Sequence, residues 1–474
     1  MASEPISELP TQRLRAMNAP PATGVASVAD LPTERLLATP NIARDGKPRW
    51  SRRIPDPRTR GGRLAYALCT FLLLVTLSIP LLRQIALAQH PLPHTATAAT
   101  NGPTTVPGQS GSTVPAVGWL DGATNAAELG YVNNLIAHMS LDEEIGQMIM
   151  IEFQESAMTP GLAYEINHDH VGSVILYGYN VLTADQTEQL TRALQANATL
   201  PLMISTDQEG GPVNRLQSID GYFPSAEQIG ATNDPSVAKL RGQQDAQNLL
   251  ALGINTNLAP VVDVRNIPDG EGALGGRMFG STPDLVTKMA GAYLTGLQQT
   301  HQVVGTLKHF PGLGDVPVDP HITLPTLDRS LGDLQTMDWA PYSSLIATGQ
   351  VQMVMVTHEV VPAVDPTLPS SLSKPLVTGI LRDQLHFNGV IVTDGIYMKS
   401  LGAHYTFDQI VLMAVEAGVD IISSTYSLQS TDEAESVIRD AVNAGVLTKQ
   451  RIDDSVRRIL LLKLHYGMLP GPAH

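Results

Sequence analysis

From about residue 119 onward, the chain alternates short apolar runs with longer amphipathic segments. The apolar runs are followed by polar or glycine residues, which is typical of buried parallel strands. Eight runs are predicted strands: 148–153, 171–177, 202–206, 256–264, 303–307, 353–357, 390–393 and 419–423. Eight strands alternating with helices predict an α/β fold, a (β/α)8 barrel of the TIM type. A doubly wound sheet is the alternative, but no Gly-x-Gly-x-x-Gly sequence opens a helix after the first strand.

The segments between these runs have the apolar spacing of helices. Ser140 and Glu143 have the spacing of a capping box, which predicts a helix start there. The predicted helices that follow are 184–196, 235–252, 285–300, 333–348, 374–384, 407–417, 431–444 and 448–464.

The first 118 residues have a different composition from the rest. Residues 1–63 are rich in proline and predict a disordered cytoplasmic tail. Residues 64–82 carry no charge and follow five arginines, so 64–88 predicts a transmembrane signal anchor with the N-terminus in the cytoplasm. The alternative is secretion after cleavage near Ala88. Residues 89–118 predict a Pro/Thr/Ser-rich linker, and 119–474 predict one extracytoplasmic catalytic barrel, expected to be a monomer.

Charge and cysteine content exclude several classes of function. Eleven basic and six acidic residues give residues 1–63 a charge of +5, and the total of −15 leaves −20 for the rest. That balance excludes nucleic acid as a partner. The only cysteine, Cys69, excludes an internal disulfide and a multi-thiolate metal site.

Polar side chains follow five consecutive predicted strands, at the end of a barrel where active sites lie. Those after strands three and four are Asp207, Glu209, Arg215, Asp263 and Arg277. Those after strands five to seven are Lys308, His309, His358, Glu359 and Asp394. We interpret Glu209 and Asp263 as structural.

The stretch from Lys308 to His321 concentrates ionisable groups in a loop whose glycines and prolines exclude a helix. His321 can carry a proton near neutral pH, and Asp319, two residues earlier, can orient its imidazole. Asp394, fixed at a strand end, is the candidate nucleophile.

Five charged or polar residues form a lining suited to a hydroxylated ligand such as a sugar. They are Asp207, Arg215, Arg277, Lys308 and His309. A metal held by His309, Asp319 and His321 is the alternative. Because Lys308 and Arg277 would oppose a dication, no metal or cofactor is predicted.

These residues occur in motifs that resemble glycoside hydrolase family 3, in particular its single-domain β-N-acetylglucosaminidases of the NagZ type. The resemblance covers roughly residues 130–468. The motifs are Asp207-Gln208-Glu209-Gly210-Gly211, Asn257-Leu258-Ala259-Pro260-Val261-Val262-Asp263-Val264, Arg277-x-Phe279-Gly280, Lys308-His309-Phe310-Pro311-Gly312, Asp319-x-His321 and Thr393-Asp394.

The resemblance implies a retaining double displacement on β-linked N-acetylglucosamine. It implies that Asp394 is the nucleophile and that His321, paired with Asp319, is the acid and then the base. The sequence departs from the family's usual residues at four positions: Pro212, Leu313, Pro320 and Gly395. None removes a proposed catalytic group, but they affect the preference for the leaving group.

The predicted function is therefore release of terminal N-acetylglucosamine from cell-wall or chitin-type oligosaccharides at the cell surface. A β-N-acetylglucosaminide phosphorylase and a β-glucosidase are the alternatives with the same first step. A membrane-tethered glycan-binding protein without turnover is the alternative from a different class.

Overall fold

The computed structural model describes residues 126–266, 274–316 and 320–471. The predicted tail, membrane anchor and linker lie outside these residues and stay predictions, as does the start of the domain at residue 119. No helix within the described ranges is long and apolar enough to cross a membrane.

Eight parallel strands form the central sheet. They are β1 Ile149–Glu152, β2 Ser173–Leu176, β3 Met203–Thr206, β4 Thr256–Asn257, β5 Val304–Phe310, β6 Met353–Val356, β7 Val390–Thr393 and β8 Ile422–Thr425. From β1 to β7 each strand pairs with the next one in the chain, and β8 pairs with β1. A parallel bridge between Val392 and Ile421 joins β7 to β8 and nearly closes the sheet. The predicted (β/α)8 barrel is confirmed.

Helices surround the sheet and connect its strands. They are α1 Ala126–His138, α2 Leu141–Gln147, α3 Pro160–Asn167, α4 Ala184–Asn197, α5 Gln217–Asp220, α6 Ala226–Ala231, α7 Pro235–Ala251, α8 Pro283–Leu297, α9 Leu331–Asp333, α10 Ala340–Ile346, α11 Lys399–Gly402, α12 Phe407–Ala417, α13 Leu428–Asn443 and α14 Lys449–His465. Two π-helical segments, Leu334–Asp338 and Pro375–Gln384, precede α10 and β7. The predicted capping box is present, since Ser140 and Glu143 bond reciprocally at the start of α2.

Short antiparallel hairpins and one turn of 3-10 helix complete the connections. One hairpin pairs Gln208–Gly210 with Val213–Asn214, directly after β3. The other pairs Val360–Val361 with Asp365–Pro369, and the 3-10 turn Ser370–Leu372 follows it. Both hairpins extend from the carboxyl ends of barrel strands, so they contribute to the rim above the sheet.

Three predicted strands are wrong in their extent, and one of them, 419–423, forms strand at Ile422–Thr425. The run 256–264 forms regular strand only at Thr256–Asn257, because Pro260 has no backbone N–H to donate to the ladder. The run 303–307 continues to Phe310, so Lys308 and His309 are among the last residues of the strand rather than part of the loop after it. Their backbone is thereby held in the sheet.

The core lies inside the barrel and between the barrel and its helices. All four residues of β2, β3, β6 and β7 are buried, and so are all seven of β5. Strands covered on both faces read as continuous apolar runs, which is why the sequence pattern identified them. The polar side chains are left at the carboxyl ends of the strands, where they converge.

Candidate active site

A group of four charged side chains joins the ends of β3 and β5 to the loop after β4. The Lys308 ammonium lies 2.6 Å from a carboxylate oxygen of Asp207 and 2.7 Å from one of Glu209. Arg277 donates two hydrogen bonds of 2.8 Å to the two oxygens of Glu209. The result is an alternating chain of charges, Asp207–Lys308–Glu209–Arg277, in which each cation is paired.

Because these side chains are buried, their ion pairs determine the pKa values of Glu209 and Lys308. Burial alone would raise the pKa of Glu209, but the neighbouring cations Arg277 and Lys308 hold it well below its usual range. Burial alone would lower the pKa of Lys308, but Asp207 and Glu209 raise it above its ordinary value. Both groups are therefore charged at neutral pH, in a fixed arrangement.

His309 extends this chain of charges to β4. Its Nε2 lies 3.2 Å from Nη2 of Arg277, and its Nδ1 lies 2.8 Å from Oδ2 of Asp263. The other oxygen of Asp263 accepts a 2.7 Å hydrogen bond from the backbone N–H of Leu313. One carboxylate therefore orients the His309 ring and holds the start of the loop that follows β5.

The predicted nucleophile, Asp394, follows β7 directly and is partly buried. Its Oδ1 accepts a 2.8 Å hydrogen bond from the backbone N–H of Gly395, and the hydroxyl of Thr357 lies 3.4 Å from its Oδ2. Burial raises the pKa of this carboxyl, but the neighbouring imidazoles of His309 and His358 and the Gly395 N–H outweigh burial, so the pKa is lowered overall. Asp394 is therefore an ionised carboxylate in a held position.

His358, which follows β6, supports the backbone at the nucleophile. Its Nε2 lies 3.0 Å from the carbonyl oxygen of Gly395, and its Nδ1 lies 2.7 Å from the hydroxyl of Ser371. Burial lowers the pKa of His358, so the neutral ring donates from Nε2 and accepts at Nδ1. The carbonyl and the N–H of Gly395 are both engaged, and this fixes the residue beside Asp394.

The loop that carries His321 is joined to the loop after β7. The backbone N–H of Ser400 donates a 3.3 Å hydrogen bond to the carbonyl oxygen of Pro320. His321 is exposed, and it is close enough to Asp394 for its charge to lower the pKa of that carboxyl. Asp319 lies outside the described residues, so its pairing with His321 stays a prediction.

Arg215 connects the charged chain to aromatic side chains after β2. Its Nη2 lies 3.8 Å from Asp207, and its guanidinium lies over the ring of Tyr177, 5.3 Å from the centroid. The Tyr177 ring stacks at 5.5 Å on Tyr179, whose hydroxyl donates to Glu152 at the end of β1. The predicted residues Asp207, Arg215, Arg277, Lys308 and His309 thus form one connected group.

A second aromatic group lies after β7 and β8. The rings of Tyr397 and Tyr426 meet edge to face at 4.0 Å, and Phe407 stacks on Tyr397 at 5.5 Å. This group and the tyrosines after β2 were not predicted from the sequence. The available signal was a tyrosine within four positions of the end of a predicted strand.

Among the residues that the structure describes, no group of three or more His, Cys, Asp and Glu side chains is arranged to hold a metal ion. The charged chain uses the carboxylates of Asp207 and Glu209 to neutralise Lys308 and Arg277 instead.

Comparison with known proteins places this arrangement in a family. The model of the glycosyl hydrolase family 3 N-terminal domain matches residues 140–462. The beta-hexosaminidase LpqI of Mycobacterium tuberculosis is 33% identical over 347 residues, which cover 71% of this chain and 85% of the relative. Beta-hexosaminidase A of Pseudoalteromonas piscicida is 30% identical over 374 residues, which cover 69% of this chain and 61% of the relative.

A solved structure agrees with these sequence matches. The glycoside hydrolase family 3 beta-N-acetylglucosaminidase from Paenibacillus sp. str. FPU-7 is 35% identical, with a TM-score of 0.68, and the match covers 71% of this chain and 64% of that one. The chain spans less than two thirds of the length of the Paenibacillus and Pseudoalteromonas proteins. The match to the family model extends over most of the chain and includes the barrel and every described site residue, and the chain belongs to glycosyl hydrolase family 3.

Proposed function

We propose that the chain is an exo-acting, retaining β-N-acetylglucosaminidase that releases terminal N-acetylglucosamine from cell-wall or chitin-type oligosaccharides. The observation that carries the proposal is the ionised Asp394 carboxylate within electrostatic reach of the exposed His321 imidazole. The relatives named beta-hexosaminidase and beta-N-acetylglucosaminidase support the acetamido sugar as the released unit.

The reaction proceeds in two displacements at the anomeric carbon. A carboxylate oxygen of Asp394 attacks this carbon, the bond to the leaving oxygen breaks, and His321 gives its proton to that oxygen. A water molecule then attacks the same carbon, His321 takes the water's proton, and the bond to Asp394 breaks. Asp319 would orient the His321 ring and stabilise its charged form.

The chain of charges is suited to bind the hydroxyl groups of the sugar to be released. Lys308 is 2% exposed and Arg277 18%, so a sugar meets only the outer edges of these cations. Arg215 is more open, at 31%, and its distance of 3.8 Å from Asp207 leaves room for a hydroxyl to bond with both. His309 completes this lining.

A nucleophile substitution tests the proposal. The full-length protein should hydrolyse an aryl β-N-acetylglucosaminide, and Asp394→Asn should lower kcat/KM by roughly four orders of magnitude, because a neutral amide cannot form the intermediate. Asp383→Asn, on an exposed residue of the π-helical segment before β7, is the matched control and should retain full activity. Equal rates for Asp394→Asn and the wild type would contradict the proposal, and faster turnover of a β-glucoside would contradict the acetamido preference.

A phosphorylase is the second candidate function. A histidine in place of a second carboxylate as the acid/base group presents a neutral or positive ring to the incoming nucleophile, so phosphate meets less repulsion at the intermediate. The same assay with inorganic phosphate distinguishes the two reactions. A sugar 1-phosphate product would identify the phosphorylase, and free sugar with and without phosphate would identify the hydrolase.

The cellular location is proposed as well. The apolar segment 64–88 supports a single-pass anchor with the barrel outside the cytoplasm, or secretion if cleavage occurs near Ala88. A relative named as a secreted glycosyl hydrolase is in keeping with an extracytoplasmic enzyme.

A further inference from the structure

Two tyrosines at the carboxyl ends of β7 and β8 have exposed rings. Tyr397 is 37% exposed and Tyr426 is 54% exposed, whereas the rings of Phe310, Trp339 and Tyr342 are buried. Their edge-to-face contact at 4.0 Å is supported from behind by Phe407. Exposed apolar area of this kind at the rim of a site indicates contact with a ligand.

The Tyr397 ring is held between two other rings, since Phe407 stacks on it and Tyr426 meets it edge to face. Tyr426 directly follows β8 and precedes α13. A pair of rings that is already ordered binds a ligand with little loss of side-chain entropy.

The position of Tyr397 relates it to the leaving-group side of the reaction. The segment from Asp394 to Ser400 begins at the proposed nucleophile and ends at the residue that bonds Pro320, next to His321. The leaving oxygen must lie between Asp394 and His321, because one attacks the carbon and the other protonates the oxygen. Tyr397 lies in the middle of this segment, at the carboxyl end of β7, on the same side of the barrel as Asp394 and His321.

We propose that Tyr397 and Tyr426 form the subsite for the sugar ring on the leaving-group side of the scissile bond. The inference rests on the proposed function. A pyranose presents C–H groups on its faces, and these pack on the negative face of an aromatic ring. The substrate class is therefore a β-linked oligosaccharide whose second unit is a pyranose, in preference to a glycoside with a small leaving group.

Two substrates separate this subsite from the site for the released sugar. N-acetyl-β-glucosaminyl fluoride has a one-atom leaving group, and N,N′-diacetylchitobiose has a second sugar. The measured quantity is the ratio of kcat/KM for chitobiose to kcat/KM for the fluoride. We expect the double variant Tyr397→Ala/Tyr426→Ala to lower this ratio about tenfold.

Two controls accompany the double variant. Tyr397→Phe/Tyr426→Phe keeps both rings and should keep the ratio within about twofold of the wild type. Tyr164→Ala removes a ring that is 42% exposed on α3, an outer helix away from the strand ends, and should leave the ratio unchanged. If the ratio of the two kcat/KM values falls as far in Tyr397→Phe/Tyr426→Phe as in Tyr397→Ala/Tyr426→Ala, a role for ring stacking is overturned.

The remaining outcomes also distinguish the two proposals. If the wild type hydrolyses both substrates and the alanine double variant keeps the wild-type ratio, the subsite is overturned and the proposed function stands. If the wild type hydrolyses neither substrate, the proposed function is overturned, and the subsite falls with it.

Discussion

The two halves of the barrel mouth differ in how their side chains are held. The charged half, at the ends of β3, β4 and β5, is built from Asp207, Glu209, Arg277, Lys308 and His309, which bond to one another and are mostly buried. The aromatic half, after β7, β8 and β2, is built from the ring pairs Tyr397–Tyr426 and Tyr177–Tyr179, which are partly exposed.

This difference suggests that the two halves recognise different parts of the substrate. Paired buried charges have fixed directions, so they accept one pattern of hydroxyl groups and reject others. Stacked rings offer apolar area with little directional demand, so they tolerate variation in the group they contact. A retaining exo-glycosidase needs strict choice of the released sugar and more tolerance for what remains.

The largest expected effect comes from removing the carboxylate at the centre of the charged half. Glu209→Gln leaves the buried Lys308 and Arg277 without a carboxylate between them. Removing one partner of a buried ion pair costs about 3–5 kcal/mol, because the remaining charges stay desolvated. We expect the free energy of unfolding in urea at pH 7 to fall by that amount.

A surface pair gives the matched control for this loss. Glu188→Gln breaks the i,i+4 pair with Arg192 on α4, and should cost less than about 0.5 kcal/mol.

The contribution of Glu209 to stability should also depend on pH. The folded-state pKa of Glu209 is lowered, so its contribution to the free energy of unfolding is present above the unfolded pKa of about 4.3 and is lost as the pH falls through the folded pKa. A difference between Glu209→Gln and wild type that failed to shrink below about pH 4 would argue against an electrostatic origin.

A smaller effect, on activity, is expected from Asp263→Asn. Asp263 accepts from His309 at one oxygen and from the Leu313 N–H at the other, whereas an amide has a single acceptor oxygen. Its NH2 group must therefore face either His309 or the Leu313 N–H, and the charge that holds the ring is lost. We expect kcat/KM on an aryl β-N-acetylglucosaminide to fall about 10- to 100-fold, the equivalent of a lost charged hydrogen bond. Steady-state kinetics measure this change, with the exposed Asp185→Asn on α4 as a control. Wild-type kcat/KM in Asp263→Asn would show that His309 needs no orientation.

The smallest effect is expected in the aromatic half. Tyr179→Phe removes the hydrogen bond to Glu152, 2.9 Å long and partly exposed, but keeps the ring stacked on Tyr177. We expect the free energy of unfolding to change by less than about 1 kcal/mol, since water replaces the lost partner. A loss comparable to that of Glu209→Gln would remove the distinction between the two halves.

The fold could be predicted because buried parallel strands leave continuous apolar runs in the sequence. The limits of β4 could not, since a single proline inside an apolar run stops the ladder without changing the hydrophobicity. The continuation of β5 through Lys308 and His309 was also missed, because charged residues normally mark the end of a buried strand. Here the ends of Lys308 and His309 are buried against acids from other strands, and such pairing depends on the tertiary fold.

The site could be predicted in its charged half, because each charged residue stands out at the end of an apolar run. The central role of Glu209 was underestimated, since nothing in Glu209-Gly210-Gly211 indicates that Lys308 and Arg277 will reach the same carboxylate. The aromatic half was missed entirely. Tyrosines are common in cores, and only their exposure in the folded chain shows that they face solvent at the rim.

The enclosure of Lys308 has a consequence for the lifetime of the enzyme. Hydrolysis as proposed here releases a reducing sugar, whose open-chain aldehyde condenses with unprotonated amines. In the proposed mode of binding, Lys308 contacts each product molecule. Asp207 and Glu209 lie 2.6 and 2.7 Å from its nitrogen and raise its pKa, which favours the protonated amine without a free lone pair. The carboxylates that order the binding site therefore also protect its lysine from glycation by the enzyme's own product.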